Sequence, residues 1–222
     1  MRHISRLSVI AVSIALLMTL ISCGNAQNTS ETDDQPSTPT ENRETVTSGQ
    51  ISDVPENNNA SGESPQGSVT DAANFEITEN EDGTVTISRY IGTETDIVIP
   101  SQIDGKTVSA IGNVMGTTGA FEGCTSITAV VIPDGVTEIQ DNAFYGCTSL
   151  ETVTISSSVT LLRNCAFCDC PNLRAVYFKG DAPQQANYVF DSTENVTMYY
   201  QDGTSGWENP WHGRPAEVYI PE

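Results

Sequence analysis

The chain has 222 residues, with 29 acidic against 9 basic side chains and a formal net charge of −20. That length allows one domain of ordinary size with accessory segments. So acidic a chain, with no basic patch along it, repels nucleic acid and anionic head groups, and its acidity marks solubility without naming a partner.

The N-terminus reads as a secretion signal over residues 1–22. Arg2 and Arg6 supply a positive start, and Val9 to Ile21 form an apolar run broken only by Ser13 and Thr19. The run is short for a membrane span, which needs ~20 apolar residues. Leu20-Ile21-Ser22-Cys23 follows and resembles the lipobox of bacterial lipoproteins. There a small residue precedes a cysteine whose thiol carries diacylglycerol and which becomes the first mature residue. The resemblance assigns lipidation to Cys23 and a membrane anchor to the mature chain, with ~0.8 kcal/mol of attachment per buried CH₂. A plain secretory signal with a chance cysteine is the alternative. Removing residues 1–22 takes away two arginines and no acids, so the net charge moves from −20 to −22.

Residues 23–73 are rich in Ser, Thr, Asn, Glu, Asp, Gly, Gln and Pro, with Val46, Ile51, Val54 and Val69 isolated among them. Such a segment cannot bury enough surface to offset its ordering entropy. It is expected to be a disordered acidic linker with a reach of roughly 40 Å, from ~5–6 Å × √n.

From residue 74 the chain turns apolar. Phe75-Glu76-Ile77-Thr78 and Thr84-Val85-Thr86-Ile87-Ser88 flank Glu81-Asp82-Gly83, and predict a β-hairpin that forms the N-terminal cap of the domain. Beyond it the sequence repeats itself. Ala120-Phe121-Glu122-Gly123-Cys124, Ala143-Phe144-Tyr145-Gly146-Cys147 and Ala166-Phe167-Cys168-Asp169-Cys170 recur at a step of 23, which Val130, Val153 and Val176, and Val136 and Val159, also keep. Phe190 falls a further 23 after Phe167.

A period of 20–29 with one short alternating stretch per unit is the mark of a leucine-rich-repeat solenoid. The fold expected is therefore an α/β solenoid over residues 74–222. It is a short array of about four or five 23-residue coils whose strands form one curved parallel sheet, with short helical turns at each Ala-Phe pair. Trp207, Trp211 and Tyr219 are expected to cover its C-terminal end.

The units Ala-Phe-x-Gly-Cys-Thr-Ser-[Ile/Leu] and Val-x-Ile-Pro-Asp-Gly-Val-Thr-x-Ile resemble the BspA-like leucine-rich-repeat family of bacterial surface lipoproteins. Ile103-Asp104-Gly105-Lys106 resembles the family's usual start, and Tyr199-Tyr200-Gln201-Asp202-Gly203 its usual exit. The similarity covers about residues 75–220. It implies an extracytoplasmic location and protein–protein contacts, often adhesion to host or matrix proteins, without a catalytic centre. The chain departs from the pattern in the insertion 113–119, in Ser156-Ser157-Ser158 where Pro-Asp-Gly is usual, and in two extra cysteines, Cys165 and Cys168.

The binding face is expected on the sheet. One row is Thr128, Glu151 and Arg174, the next Ala129, Thr152 and Ala175, and sequence does not say which faces solvent. Cys124, Cys147 and Cys170 occupy one place in successive coils, as stacked buried thiols or as disulfides across ~4.8 Å. Cys165 and Cys168, whose counterparts Asn142 and Tyr145 should face outward, form a local disulfide, stay free, or make a redox or metal pair. A metal would want a fourth ligand, and no second CxxC or nearby histidine supplies one. His212 beside Trp211 has no serine placed for a catalytic triad. No cofactor, metal or catalytic residue is therefore expected, and the mature chain is read as a monomer with a protein partner. A periplasmic or cell-wall scaffold that binds another bacterial protein is the alternative, and carbohydrate binding through Trp207 and Trp211 a further one.

Overall fold

The computed structural model describes residues 67–112, 118–185 and 188–220. The signal, Cys23 and nearly all of the linker lie outside them, as do residues 113–117 of the insertion. Among the described residues no helix is long and apolar enough to cross a membrane.

Thirteen strands are described. Alternating apolar residues in β1 (Phe75–Glu79) and β2 (Val85–Tyr90) make an antiparallel hairpin. Asp82 closes its turn by accepting from the Thr84 amide and hydroxyl at 2.9 and 2.6 Å, which lowers its carboxyl pKa. β3 (Asp96–Val98) follows, and then a second hairpin of β4 (Gln102–Ile103) and β5 (Lys106–Ile111).

Each coil then supplies two strands: β6 (Ala129–Ile132) and β7 (Glu138–Ile139), β8 (Thr152–Ile155) and β9 (Leu161–Leu162), β10 (Ala175–Phe178) and β11 (Gln184–Gln185). β12 (Thr197–Gln201) and β13 (Ala216–Tyr219) end the chain.

The strands form two sheets, not the one expected. The first runs β1-β2-β5-β7-β9-β11, with β4 beside β5, and the second runs β13-β12-β10-β8-β6-β3. Pro133-Asp134-Gly135, Ser156-Ser157-Ser158 and residues 179–183 bend the three coils in turn, so the second strand of each unit joins a sheet of its own. Pairing is parallel and in register with the repeat: Val130↔Val153↔Val176↔Met198 in one sheet and Ile111↔Ile139↔Leu162↔Gln185 in the other.

The third side of each coil is the Ala-Phe turn. The helical turns expected there are tight turns with i→i+3 bonds, as from the Tyr145 amide to the Asn142 carbonyl at 3.0 Å, and they do not grow into helices. The helix described is a single 3₁₀ turn, Ala72–Asn74. These turns instead bond coil to coil: the amides of Phe121, Phe144 and Phe167 donate to the carbonyls of Ala143, Ala166 and Val189 at 2.7–2.9 Å. Two residues per turn take positive φ, at the step of 23: Asn142, Cys165 and Tyr188, and Gly123, Gly146, Asp169 and Ser192. At Gly119 the backbone of the next coil comes so close that a Cβ would lie 1.8 Å from the Asn142 carbonyl oxygen.

Inside, like residues stack. Phe121, Phe144, Phe167 and Phe190 form a column with ring centroids 4.8, 5.1 and 5.5 Å apart and planes within 15°. Such pairs contribute ~0.5–1.5 kcal/mol each beyond area burial. The hairpin continues the column, with Tyr90 stacked on Phe121 at 5.2 Å and Phe75 against both rings. The Tyr90 hydroxyl donates to the Glu94 carboxylate at 2.6 Å, and Asn74 donates to the other carboxylate oxygen. This contact lowers the Glu94 pKa, while burial and the same carboxylate raise that of Tyr90.

Beside the rings runs a column of small donors. The thiols of Cys147 and Cys170 donate to the carbonyls of Phe121 and Phe144 at 3.1 and 3.2 Å, and in the next coil the Thr193 hydroxyl donates to that of Phe167 at 2.8 Å. Cys124, Cys147 and Cys170 are buried thiols. Desolvation pushes the Cys170 pKa up to about 12.

Candidate binding face and C-terminal cap

In the second sheet the inward row Val130, Val153, Val176 and Met198 is fully buried, so the residues between point outward. Of the two rows singled out from sequence, Glu151 and Arg174 are exposed and Thr128 is half-buried, its hydroxyl donating to Asp96 at 2.6 Å. Ala129 and Ala175 are buried at 9% and 8% exposure, and Thr152 between them is half-buried. The first row therefore presents side chains to solvent, while the second presents a low floor of small residues.

Toward the C-terminal end the same face carries a cluster that sequence reasoning missed. Tyr177 and Tyr199 are in register and stack at 5.1 Å, and Tyr219 meets Tyr177 edge-on at 5.3 Å. All three are half-buried. Burial, and then the neighbouring phenols, raise the Tyr177 pKa, and burial raises that of Tyr219, so both remain neutral donors. Tyr219 thus belongs to this outer cluster and not to the end cap, because β13 pairs in parallel with β12 and carries it outside. The missed signal was Tyr177 and Tyr199 at one repeat position, 22 residues apart instead of 23.

The cap itself is made by the two tryptophans. Trp207 lies 4.8 Å from Phe178 and stacks on Tyr200 at 5.0 Å, while Trp211 is buried against Phe178 and Trp207. Trp211 is 4% exposed, which leaves no free indole face for a sugar ring there.

Cys165 and Cys168 are joined across their turn with Cα atoms 4.7 Å apart. Cys168 is buried, unlike its exposed counterpart Tyr145, so the outward placement expected for it does not hold. The smaller, bonded Cys168 sulfur sits inward where the wider tyrosine points away. Among the described residues no group of three His, Cys, Asp or Glu side chains is placed to hold a metal. His212 packs edge-on to Trp211.

Comparison with known proteins agrees with this architecture. The profile of the "BspA type Leucine rich repeat region" matches residues 107–204 in six copies, more than the four or five coils counted from the register. A leucine-rich repeat protein from T. pallidum has 23% identity over 70% of this chain and 84% of its own, with a TM-score of 0.50, and shares the fold. A leucine-rich cell surface protein from Faecalibacterium prausnitzii has 30% identity over 72% of this chain, with a TM-score of 0.50. The matched part spans 44% of that protein's length. No curated protein matches the chain.

Proposed function

We propose, for a chain whose residues 107–204 are a leucine-rich repeat region of the BspA type, that it is an envelope-anchored, non-catalytic module that binds another protein. Repeat regions of this kind are binding folds. The observation that carries the reading here is the tyrosine cluster on the outer face of the second sheet, with exposed Glu151 and Arg174 just before the starts of β8 and β10. Tyrosine and arginine dominate the energetics of protein interfaces, since each combines a large, rigid contact area with a polar tip. Here they stand on a preformed sheet, so little side-chain or backbone ordering is needed on binding.

The remaining assignments rest on sequence. Residues 1–22 are the signal, Cys23 is the lipidated anchor, residues 23–73 are the tether and residues 74–222 are the binding domain, acting as a monomer. The partner is a host or matrix protein if the domain stands on the cell surface. Protease shaving of intact cells tests this. Release of a fragment covering residues 75–222 supports surface display. Protection until the envelope is broken defeats adhesion and leaves a periplasmic or cell-wall scaffold that binds another bacterial protein. In a pull-down with the identified partner, Tyr177→Ala with Tyr199→Ala is expected to weaken binding by about 2–4 kcal/mol.

A further inference from the structure

Two inward columns of the solenoid change character in its last turn. The row Ile87, Ile111, Ile139, Leu162 of the first sheet, each fully buried, ends in Gln185. The donor column of Cys147, Cys170 and Thr193, each serving a phenylalanine carbonyl, ends in Arg214, whose Nη2 donates to the Phe190 carbonyl at 2.9 Å. Two apolar or neutral positions are thus replaced by an amide and a guanidinium at one end of the molecule.

Both replacements carry a buried donor that no described residue accepts from: Nε2 of Gln185 and Nε of Arg214. Leaving such groups unmatched is destabilising, whereas Leu or Ile at position 185 would simply continue the column. Gln185 and Arg214 border the same cleft of about 380 Å³, open to solvent. Its walls are Val189 and Phe190, its rim Tyr188 and His212, both exposed, and Asp191 is the acid at its edge. Nε and Nη2 share the forked edge of a guanidinium that matches a carboxylate.

From this we infer that the C-terminal cleft binds a carboxylate-bearing group, with Arg214 and Gln185 as its donors. The site is separate from the tyrosine face and does not depend on it. A carboxylate that enters the cleft, with the Gln185 and Arg214 side chains turned toward it, supplies acceptors to the two orphan donors, and Val189, Phe190 and Tyr188 line the cleft around its carbon skeleton. Asp191 favours ligands that also carry a donor or a cation next to the carboxylate. A peptide C-terminus and a uronic acid both present this chemistry.

The test uses the full-length chain carrying Cys23→Ser, followed by the Arg214 Nε–H and Gln185 side-chain amide signals in ¹⁵N spectra. N-acetyl-alanyl-alanine is compared with its amide, and glucuronic acid with glucose. At least one acid is expected to shift both signals saturably, while its neutral partner does not. Which acid does so identifies the source. Gln185→Leu, which restores the apolar row, is expected to stay folded and to weaken the acid at least about tenfold, the worth of one charge-assisted bond. Arg214→Lys, which keeps the charge but loses the forked edge, should weaken it similarly. The inference is overturned if neither acid shifts the signals at concentrations up to roughly 20 mM, the range of weak ligands. Equal shifts by acid and amide, or unchanged binding in Gln185→Leu, also overturn it.

Discussion

At the scale of single residues, the repeat is enforced by backbone conformation as much as by apolar matching. The second left-handed position of each turn is glycine at 123 and 146 but Asp169 and Ser192 later, with φ of 69°, 69°, 53° and 54°. A left-handed non-glycine residue costs roughly 1–2 kcal/mol, somewhat less for aspartate. Gly146→Ala is therefore expected to destabilise by about 1 kcal/mol and Ser192→Gly to stabilise by up to about 1 kcal/mol, read as opposite shifts of the urea midpoint at unchanged m-value. Cys170 gives a pH prediction. Its folded pKa, about 12, lies above the ordinary thiol value of 9.0. The fold thus favours the protonated thiol, and that stabilisation is complete below pH 9 and is lost as pH rises from there toward 12. In the native protein Cys170 should resist thiol reagents at neutral pH and become labelled once guanidinium unfolds the chain. Rapid native labelling would contradict the burial.

At the scale of elements, the phenylalanine column predicts where truncation matters most. Phe144 is fully buried between two parallel rings, so Phe144→Ala should cost about 3–5 kcal/mol, measured by chemical denaturation. Deleting residues 144–166 removes one whole coil and leaves Ala143 joined to Phe167, so the columns rejoin. Stacked coils contact only their neighbours, and the shortened chain is expected to fold cooperatively with a lower m-value, because less surface is exposed on unfolding. Failure to fold would show that the coils are not interchangeable. These columns are also what was legible in the sequence. A step of 23 places Phe over Phe, Val over Val and Cys over Cys, and the Asp82-Gly83 turn marks the hairpin. Other features depend on geometry that periodicity does not encode. The split into two sheets follows from the bend angle of each coil. The sequence places Tyr219 in the cap because its pairing with β12 is not repetitive, and a one-residue deletion hides the Tyr177–Tyr199 match. The place of Gln185 in the apolar row appears only once strand register is known.

At the scale of the whole molecule, charge and shape act together. Residues 74–222 carry 20 acidic and 6 basic side chains, a formal net charge of −14, so like charges repel along a stack held by neutral side chains. Two ion pairs are described, Lys106 with Glu79 and Arg163 with Glu138, and both are partly exposed, so their contribution is small. Self-repulsion is screened with a Debye length of ≈ 10 Å at 0.1 M salt and ≈ 3 Å at 1 M. Raising sodium chloride between these limits should therefore raise the Tm, and a fall would mean that the ion pairs outweigh the repulsion. Arg174 and Lys179, both exposed, are among the few cationic groups on this acidic surface.

Arg214 also bears on how such an array can grow. Each coil passes a hydrogen-bond acceptor, the carbonyl of its phenylalanine, to a donor in the next coil, and at Phe190 that acceptor is taken by a guanidinium from the closing segment. A new unit added after this point would meet an occupied carbonyl and a charged group where it needs an open, apolar one. A unit copied between residues 121 and 167 would meet matching partners on both sides. Lengthening is therefore expected between the central coils and not past Phe190. Natural variants of this protein are expected to differ in the number of central units while keeping the same closing segment, which a survey of gene lengths among strains can check.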